Sequence, residues 1–173
     1  MWLNLCSRQL RGEVKHRMPE KIVDRIKSML ASHPISFREV HHEPTRTSGE
    51  SAKARGEDIS IGGKAILMKL DDTFKLFVLS AAKKIDSQKI KVRFGAKKLR
   101  FATPEELSQL TGLVPGAVPP FGRPILPFDL YVDTSVTLNE KIAFNAGSLT
   151  TSIVMSSRDY LVLAAPEIFN FSF

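Results

Sequence analysis

The chain has little of what disulfide-rich, metal-binding or cofactor-binding proteins are built from. It has one cysteine, Cys6, which excludes an intramolecular disulfide and a multi-cysteine zinc site and makes a reducing compartment the expectation. None of the four histidines shows metal-ligand spacing, and the adjacent His41 and His42 would face opposite sides of an extended segment. We therefore expect neither a metal nor a cofactor.

Long apolar runs and the common catalytic motifs are also missing. The apolar stretches are interrupted by lysine or proline, and none approaches the roughly 18 uncharged residues that span a bilayer, so no membrane insertion is expected. A phosphate-binding P-loop fails at Asp58 and Ala65, where glycine and Ser or Thr would be required. No serine lies in a nucleophile elbow and no hydrolase triad is visible.

What is present indicates one domain of mixed class. With 173 residues and a 43% hydrophobic fraction, the chain is long enough to bury a substantial core. We predict an α/β mixed (α+β) fold, with a central, largely antiparallel or mixed β-sheet flanked by helices, over residues 18–173. Residues 1–17 are basic and are predicted to be an extension, a flexible arm or a weak organelle-targeting segment.

Local signals place the elements. Proline, an apolar stripe and Pro34 predict a helix over 19–31, and the Thr47/Glu50 spacing predicts a capping box that opens a short helix closed by Gly56. Asp71 and Asp72 predict the turn of a hairpin. Thr103, Pro104 and Glu106 predict a second capped helix. Further strands are predicted at 35–42, 99–102, 130–134, 141–145, 152–156 and 167–173, with short helices after Asp86 and over 159–164.

The positive charge of the chain is local. Eight basic residues against the single acid Asp86 lie between Lys83 and Arg100, whereas the remaining 17 basic and 17 acidic residues cancel. This distribution leaves two interpretations open, a docking surface for a polyanion and a solvated lysine-rich face.

Lys64 directly follows two glycines and begins an apolar run. In a strand its side chain shares a face with Ile66 and Met68, so it would sit at the rim of a packed interior. There it either pairs with an anion, because burying an unpaired charge is costly, or snorkels to water. The glycines would let another chain or a ligand approach closely.

Two loops are candidates for lining a pocket. Residues 115–127 hold five of the ten prolines together with apolar side chains, which is typical of a stiff pocket wall or of a crossover packed under the sheet. Asn145 opens a turn in which Ser148 and Thr150 could hydrogen-bond a ligand, although the same residues also make an ordinary hairpin turn.

Four segments in order carry a family resemblance. TSGESAKARG, GGKAILMK, ATPEELSQLTGLVPGAVPPFG and IAFNAGSLTTSIVMSSRDYL together resemble the YbaK/prolyl-tRNA-synthetase-associated family of aminoacyl-tRNA editing domains, over residues 19–173. The tail, DYL followed by APEIFNF, is most similar to the YeaK-like branch of freestanding deacylases. The resemblance implies a YbaK-like domain.

The resemblance also implies roles for particular residues. Lys64 matches the family's active-site lysine, and Gly116 and Pro120 match its G-x-x-x-P loop beside the scissile ester, which makes these three the predicted catalytic residues. Asn145 stands where several relatives have histidine, which suggests a different amino-acid preference. The predicted substrate-binding residues are Thr47, Ser48, Asn145, Gly147 and Thr150, and the predicted tRNA-binding residues are Lys89, Lys91, Lys97, Lys98 and Arg100.

The implied function is hydrolysis, by a positioned water, of the ester in mischarged tRNA that carries a small amino acid of the Ser, Ala or Thr type. The alternatives are a non-catalytic module of the same fold that binds tRNA or a synthetase, and a small-molecule hydrolase unrelated to tRNA. The expected partner is the acceptor end of tRNA, with an aminoacyl-tRNA synthetase as a second candidate. We expect a cytoplasmic monomer or weak homodimer.

Overall fold

The first helix packs its apolar stripe into the core as predicted. The structure, a computed structural model, describes residues 21–173, so the predicted extension over 1–17 and the predicted helix start at Pro19 lie outside the described residues. Helix α1 spans Ile22–Ala31, and its residues Ile26 and Leu30 are fully buried. No helix in the described part is long and apolar enough to cross a membrane.

The other helices begin at side-chain caps. Both predicted capping boxes form: Thr47 and Glu50 bond reciprocally, as do Thr103 and Glu106. A four-residue helix that follows the buried Asp133 was not predicted. The remaining α-helices are α2 Ser48–Arg55, α3 Ser87–Phe94, α4 Pro104–Thr111, α5 Thr134–Thr137 and α6 Ser157–Ala164.

The strands divide into two sheets rather than one central sheet. The predicted hairpin forms around Asp71 and Asp72, and most pairings are antiparallel, which fits the predicted class; two pairings in the larger sheet are parallel. The strands are β1 Phe37–His41, β2 Gly63–Leu70, β3 Thr73–Ser80, β4 Leu99–Phe101, β5 Leu130–Asp133, β6 Lys141–Asn145, β7 Thr151–Ser156 and β8 Glu167–Phe169. Their order is β1-β7-β6 in the smaller sheet and β4-β2-β3-β5-β8 in the larger.

Apolar clusters cover both faces of the larger sheet. Because side chains alternate along a strand, Leu67 joins the cluster between the two sheets, whereas Met68 joins a cluster under α3. The proline-rich segment supplies much of the first cluster. Its buried members are Val118, Phe121, Ile125, Leu126 and Phe128.

The double glycine before Lys64 is where the two sheets meet. A Cβ on Gly63 would lie 2.7 Å from Ile142 Cδ1, and one on Gly62 would lie 2.9 Å from Ala81 Cβ. Of the two alternatives, close approach of another chain segment or of a ligand, these contacts show the first, because both glycines permit close packing of the protein's own chain.

Candidate active site

A cavity of about 320 Å³ opens where the start of α2, the free end of β2, the β4–α4 junction and the first residues of the proline-rich segment converge. It is lined by five residues that the sequence predicted as site residues. These are Thr47, Ser48, Lys64, Gly116 and Asn145.

Lys64 lies half-buried in the cavity wall, as predicted for a residue at the rim of the packed interior. Its Nζ donates a hydrogen bond to the backbone oxygen of Lys83 at 2.9 Å, and it forms no ion pair with a carboxylate of the described residues. Burial lowers the pKa of Lys64, because a desolvated ammonium loses stabilisation by water. Lys64 therefore lines the cavity with a charge that has no acidic partner among the described residues.

Gly116 lets the proline-rich segment pack against Arg46, just before the start of α2. Its φ of +88° lies in the left-handed region, and a Cβ there would approach the backbone oxygen of Arg46 to 3.3 Å. Side chains are therefore disfavoured at this position both by conformation and by space. The carbonyl of Gly116 accepts a hydrogen bond from Asn145 Nδ2 at 2.9 Å.

Asn145 is the centre of a buried polar network at the cavity floor. Its Oδ1 accepts from Arg55 Nη2 and from Ser152 Oγ, both at 2.9 Å, while its Nδ2 donates to the Gly116 carbonyl. The amide is thus committed to the protein on both sides. His42 joins the network through a 2.7 Å hydrogen bond between Nε2 and Ser152 Oγ.

Arg55 is a buried cavity residue that the sequence did not predict. It is only 8% exposed and donates from Nε to Ser152 Oγ at 2.9 Å. Helical spacing puts it on the same face of α2 as Ser48 and Ser51, which also line the cavity. This spacing was visible in the sequence, but nothing there distinguished Arg55 from the exposed Lys53 on the same helix.

Three of the predicted catalytic and substrate-binding residues lie outside the cavity lining. Pro120 is buried behind the wall, where its carbonyl accepts a 2.7 Å hydrogen bond from Tyr160 Oη. A Cβ on Gly147 would lie 2.7 Å from Ile22 Cγ2, so this glycine makes room for α1. Thr150 is exposed and is bonded to Ser148. The proline-rich segment thus combines both interpretations, with Gly116 in the wall and Pro120 in the crossover.

The predicted tRNA-binding residues lie outside the cavity, on α3 and around β4. Lys89 donates to Asn170 Oδ1 and to the Ser172 carbonyl, and Arg100 forms two 2.7 Å bonds with the carboxylate of Glu106. The bonds from Arg100, together with the backbone N–H of Thr103, lower the pKa of Glu106 to about 2. Lys91 is half-buried, and Lys97 and Lys98 are exposed.

One edge of β2 is open to the cavity. Strand β4 covers only Met68–Leu70, and Ala102 N then donates to Leu67 O at 2.9 Å. Backbone groups alternate sides along an antiparallel strand, so Ala65 directs its N–H and C=O the same way as Leu67, beyond the end of β4. The backbone of Ala65 therefore faces the cavity.

The cavity lining is positively charged. Its ionisable members are Arg46, Arg55 and Lys64, and it contains no aspartate or glutamate. An aromatic ring, Phe101, stands at the rim with 56% of its surface exposed. Among the described residues, no group of three His, Cys, Asp or Glu side chains is placed to hold a metal ion. A small pocket whose charged lining residues are all cationic is suited to an anionic or phosphate-bearing ligand.

Comparisons with known proteins identify the fold and the family. The family model for the aminoacyl-tRNA editing domain matches residues 42–163. The multifunctional Ser/Thr-tRNA deacylase ProXp-y of Escherichia coli K12 is 32% identical over 167 residues, which cover 93% of this chain and 95% of that protein. The chain therefore belongs to the aminoacyl-tRNA editing domain family, as the resemblance predicted.

Two further relatives show where else the domain occurs. The proline–tRNA ligase of Shouchella clausii is 32% identical over 125 residues, which cover 71% of this chain but only 22% of that much longer enzyme. A crystal structure provisionally assigned to a trans-editing enzyme for prolyl-tRNA synthetase superimposes with a TM-score of 0.76 at 24% identity and covers 89% of this chain and 98% of that one. This superposition confirms the fold.

Proposed function

We propose that this protein hydrolyses the ester bond of mischarged tRNA that carries a small amino acid, and that the reaction takes place in the cavity beside Lys64. The observation that carries the proposal is the convergence of Lys64, the Gly116 loop and the start of α2 on one cavity whose charged members are all cationic. The 3′ end of an aminoacyl-tRNA combines a phosphate, an ester and a small side chain, and such a cavity suits these groups.

The chain's own groups suffice for catalysis by positioning and electrostatics. Water attacks the carbonyl carbon, the bond to the ribose oxygen breaks, and the products are the amino-acid carboxylate, the tRNA hydroxyl and one proton. Lys64, which lacks an acidic partner among residues 21–173, is available for negative charge at the ester or the terminal phosphate. The Gly116 loop and the free backbone edge at Ala65 hold the acyl group between them.

Polar groups of the cavity favour a small amino acid with a hydroxyl group. Ser48 lines the cavity, and its Oγ has no hydrogen-bond partner among the described residues. A substrate hydroxyl would satisfy this group, which a purely apolar side chain would leave unpaired. The activity named for the Escherichia coli relative, on Ser- and Thr-tRNA, agrees with this preference.

The acceptor end of tRNA is the proposed partner surface for Phe101 and the basic residues. Phe101 lines the cavity and follows Arg100 in β4, and its exposed ring offers a stacking surface for the terminal base. Beyond it, Lys97 and Lys98 would contact phosphates without reading sequence. Lys89 and Lys91 extend the same surface. We further propose a cytoplasmic monomer or weak homodimer that acts on free or synthetase-associated tRNA.

A panel of mischarged tRNAs tests the proposal. We expect Ser-, Thr- or Ala-tRNA to lose its amino acid faster than in buffer, and Lys64→Met to reduce the rate at least about 100-fold while the protein stays folded. Lys141→Met, an exposed substitution on β6, is the matched control. If every tRNA binds but none is hydrolysed, the protein is instead a non-catalytic binding module. Hydrolysis of free esters with no dependence on tRNA would indicate a small-molecule hydrolase.

A further inference from the structure

Arg55 is a buried cation without an acid. It is 8% exposed, and none of the carboxylates in residues 21–173 forms an ion pair with it. Two of its nitrogens are satisfied by neutral groups, Nε by Ser152 Oγ and Nη2 by Asn145 Oδ1. A buried charge held only by neutral partners is costly, and proteins normally pair it.

The third nitrogen of Arg55 is directed at the cavity. Nη1 has no hydrogen-bond partner among the described residues, and it lies 3.9 Å from the position that a Cβ on Gly62 would occupy. Both Arg55 and Gly62 line the cavity. Desolvation lowers the pKa of Arg55 to about 10, so the group stays cationic at neutral pH and still carries the cost of burial.

The position of Arg55 in the cavity determines which group of the substrate can contact it. Arg46 is exposed at the cavity mouth, whereas Arg55 is held at the floor by Asn145, whose amide also fixes the Gly116 carbonyl. In the proposed reaction the acyl group is the part of the substrate that reaches the floor, whereas the terminal phosphate belongs nearer the mouth, where Arg46 is exposed. The anion that reaches the floor is therefore an oxygen of the acyl group.

We propose that Arg55 Nη1 binds the acyl oxygen of the substrate, where negative charge develops during ester hydrolysis and remains on the released carboxylate. The proposal rests on the proposed function for the identity of the acyl group, but the anion site itself follows from the contacts of Arg55. When water adds to the carbonyl carbon, the C=O electron pair moves onto that oxygen, and Nη1 donates to it. When the ribose oxygen leaves, the same oxygen becomes part of the carboxylate.

Binding of a simple carboxylate tests the site without any enzymatic assay. In wild-type protein with ¹⁵N-labelled arginine, titration with sodium acetate should shift the Arg55 Nε–H signal in a saturable way, whereas sodium chloride at matched ionic strength should not. Acetate should also raise Tm, because a ligand that binds only the folded state stabilises it. Arg55→Lys and Arg55→Met should lose this rise, whereas Arg38→Met should keep it, since Arg38 is exposed and forms an ion pair with Glu57.

Kinetics distinguish the acyl oxygen from a phosphate. Loss of one donor to a developing oxyanion should reduce kcat by about 100- to 1,000-fold for Arg55→Lys with KM nearly unchanged. A raised KM with wild-type kcat would instead place a tRNA phosphate at Arg55 and overturn the proposal. An unperturbed Arg55 signal in acetate would also overturn it, even if the wild-type protein deacylates tRNA normally. Conversely, acetate binding by a protein without deacylase activity would refute the proposed function and leave the anion site standing.

Discussion

The basic residues of the cavity and those of the segment from Lys83 to Arg100 look alike in the sequence but differ in their surroundings. On the surface, several cations already have acidic partners: the Lys89 ammonium lies 3.9 Å from the carboxylate of Asp86, Arg93 pairs with Glu167, and Arg100 pairs with Glu106. In the cavity, Arg55 and Lys64 have only neutral partners among the described residues. Local charge density therefore marks an exposed segment, whereas buried or half-buried cations with only neutral partners mark the cavity.

Of the effects that test this comparison, the largest is expected from giving the cavity the acid that it lacks. Asn145→Asp places a carboxylate beside Arg55 and replaces the donor to the Gly116 carbonyl with an acceptor. We expect kcat to fall about 100-fold, because the cation is neutralised and the loop is repelled, and we expect the acetate-dependent rise in Tm to disappear. Steady-state deacylation and thermal unfolding measure both effects.

Asn170→Asp is the matched control for that substitution, since it places the same new carboxylate beside Lys89 on the surface. There we expect little change in rate or stability, because solvent screens an exposed pair. Equal effects at the two positions would remove the distinction between the buried cations of the cavity and the exposed cations of the surface.

The second effect concerns Phe101, which stands at the border between the two regions. Phe101→Ala should lower kcat/KM by the value of one base–aromatic stack, about 1–3 kcal/mol or roughly 5- to 150-fold, mainly through KM. Phe173→Ala, which removes another exposed ring at 66% exposure, is the control and should leave the kinetics unchanged. Equal kinetics for Phe101→Ala and wild type would rule out the stacking role.

A smaller effect is expected from the exposed lysines. Replacing Lys97 and Lys98 with glutamine should reduce the slope of log(kcat/KM) against log[salt] by about 1.4 to 1.8, since each phosphate contact contributes about 0.7–0.9. Replacing Lys141 and Arg158, which are exposed elsewhere, should leave the slope as it is. If both double variants have the same slope, Lys97 and Lys98 do not contact tRNA phosphates, and the basic segment is only a solvated surface.

The smallest expected effect concerns the surface ion pair between Arg100 and Glu106. The pKa of Glu106 is about 2 in the folded protein against an ordinary value of 4.5, so its contribution to stability is present above about 4.5 and is lost as pH falls toward 2. Glu106→Gln should therefore lower Tm slightly at pH 7, and the difference from wild type should vanish between these two pH values. Glu105→Gln is the exposed control and should leave Tm unchanged. A difference in Tm between Glu106→Gln and wild type that persists at pH 2 would show that the ionised carboxylate of Glu106 is not its source.

Local chemistry explains why some features could be predicted and others could not. The capping boxes at Thr47 and Thr103 and the hairpin at Asp71 depend on residues within a few positions of one another, so the sequence contains all the information they need. The division into two sheets and the parallel pairing of β5 depend on contacts between distant segments, which no local pattern encodes.

The same limit applies to the site. Lys64 was recognised because it sits in a motif, and the family comparison confirmed the family to which that motif belongs. Gly147 and Pro120 were assigned from the same motifs, yet they lie against α1 and Tyr160, outside the cavity lining. Arg55 was missed because its importance comes from burial and from the absence of a neighbouring acid. Both are properties of the folded chain.

The network at the cavity floor has an evolutionary consequence. Asn145, Arg55, Ser152 and the Gly116 carbonyl share hydrogen bonds that cross from β6 and β7 to α2 and the loop. Substitutions at positions that share partners are not additive, so a change at one position alters what is tolerated at the others. Substrate preference in this pocket is therefore an epistatic trait, and a lineage that changes its amino acid must do so through coupled replacements at these positions.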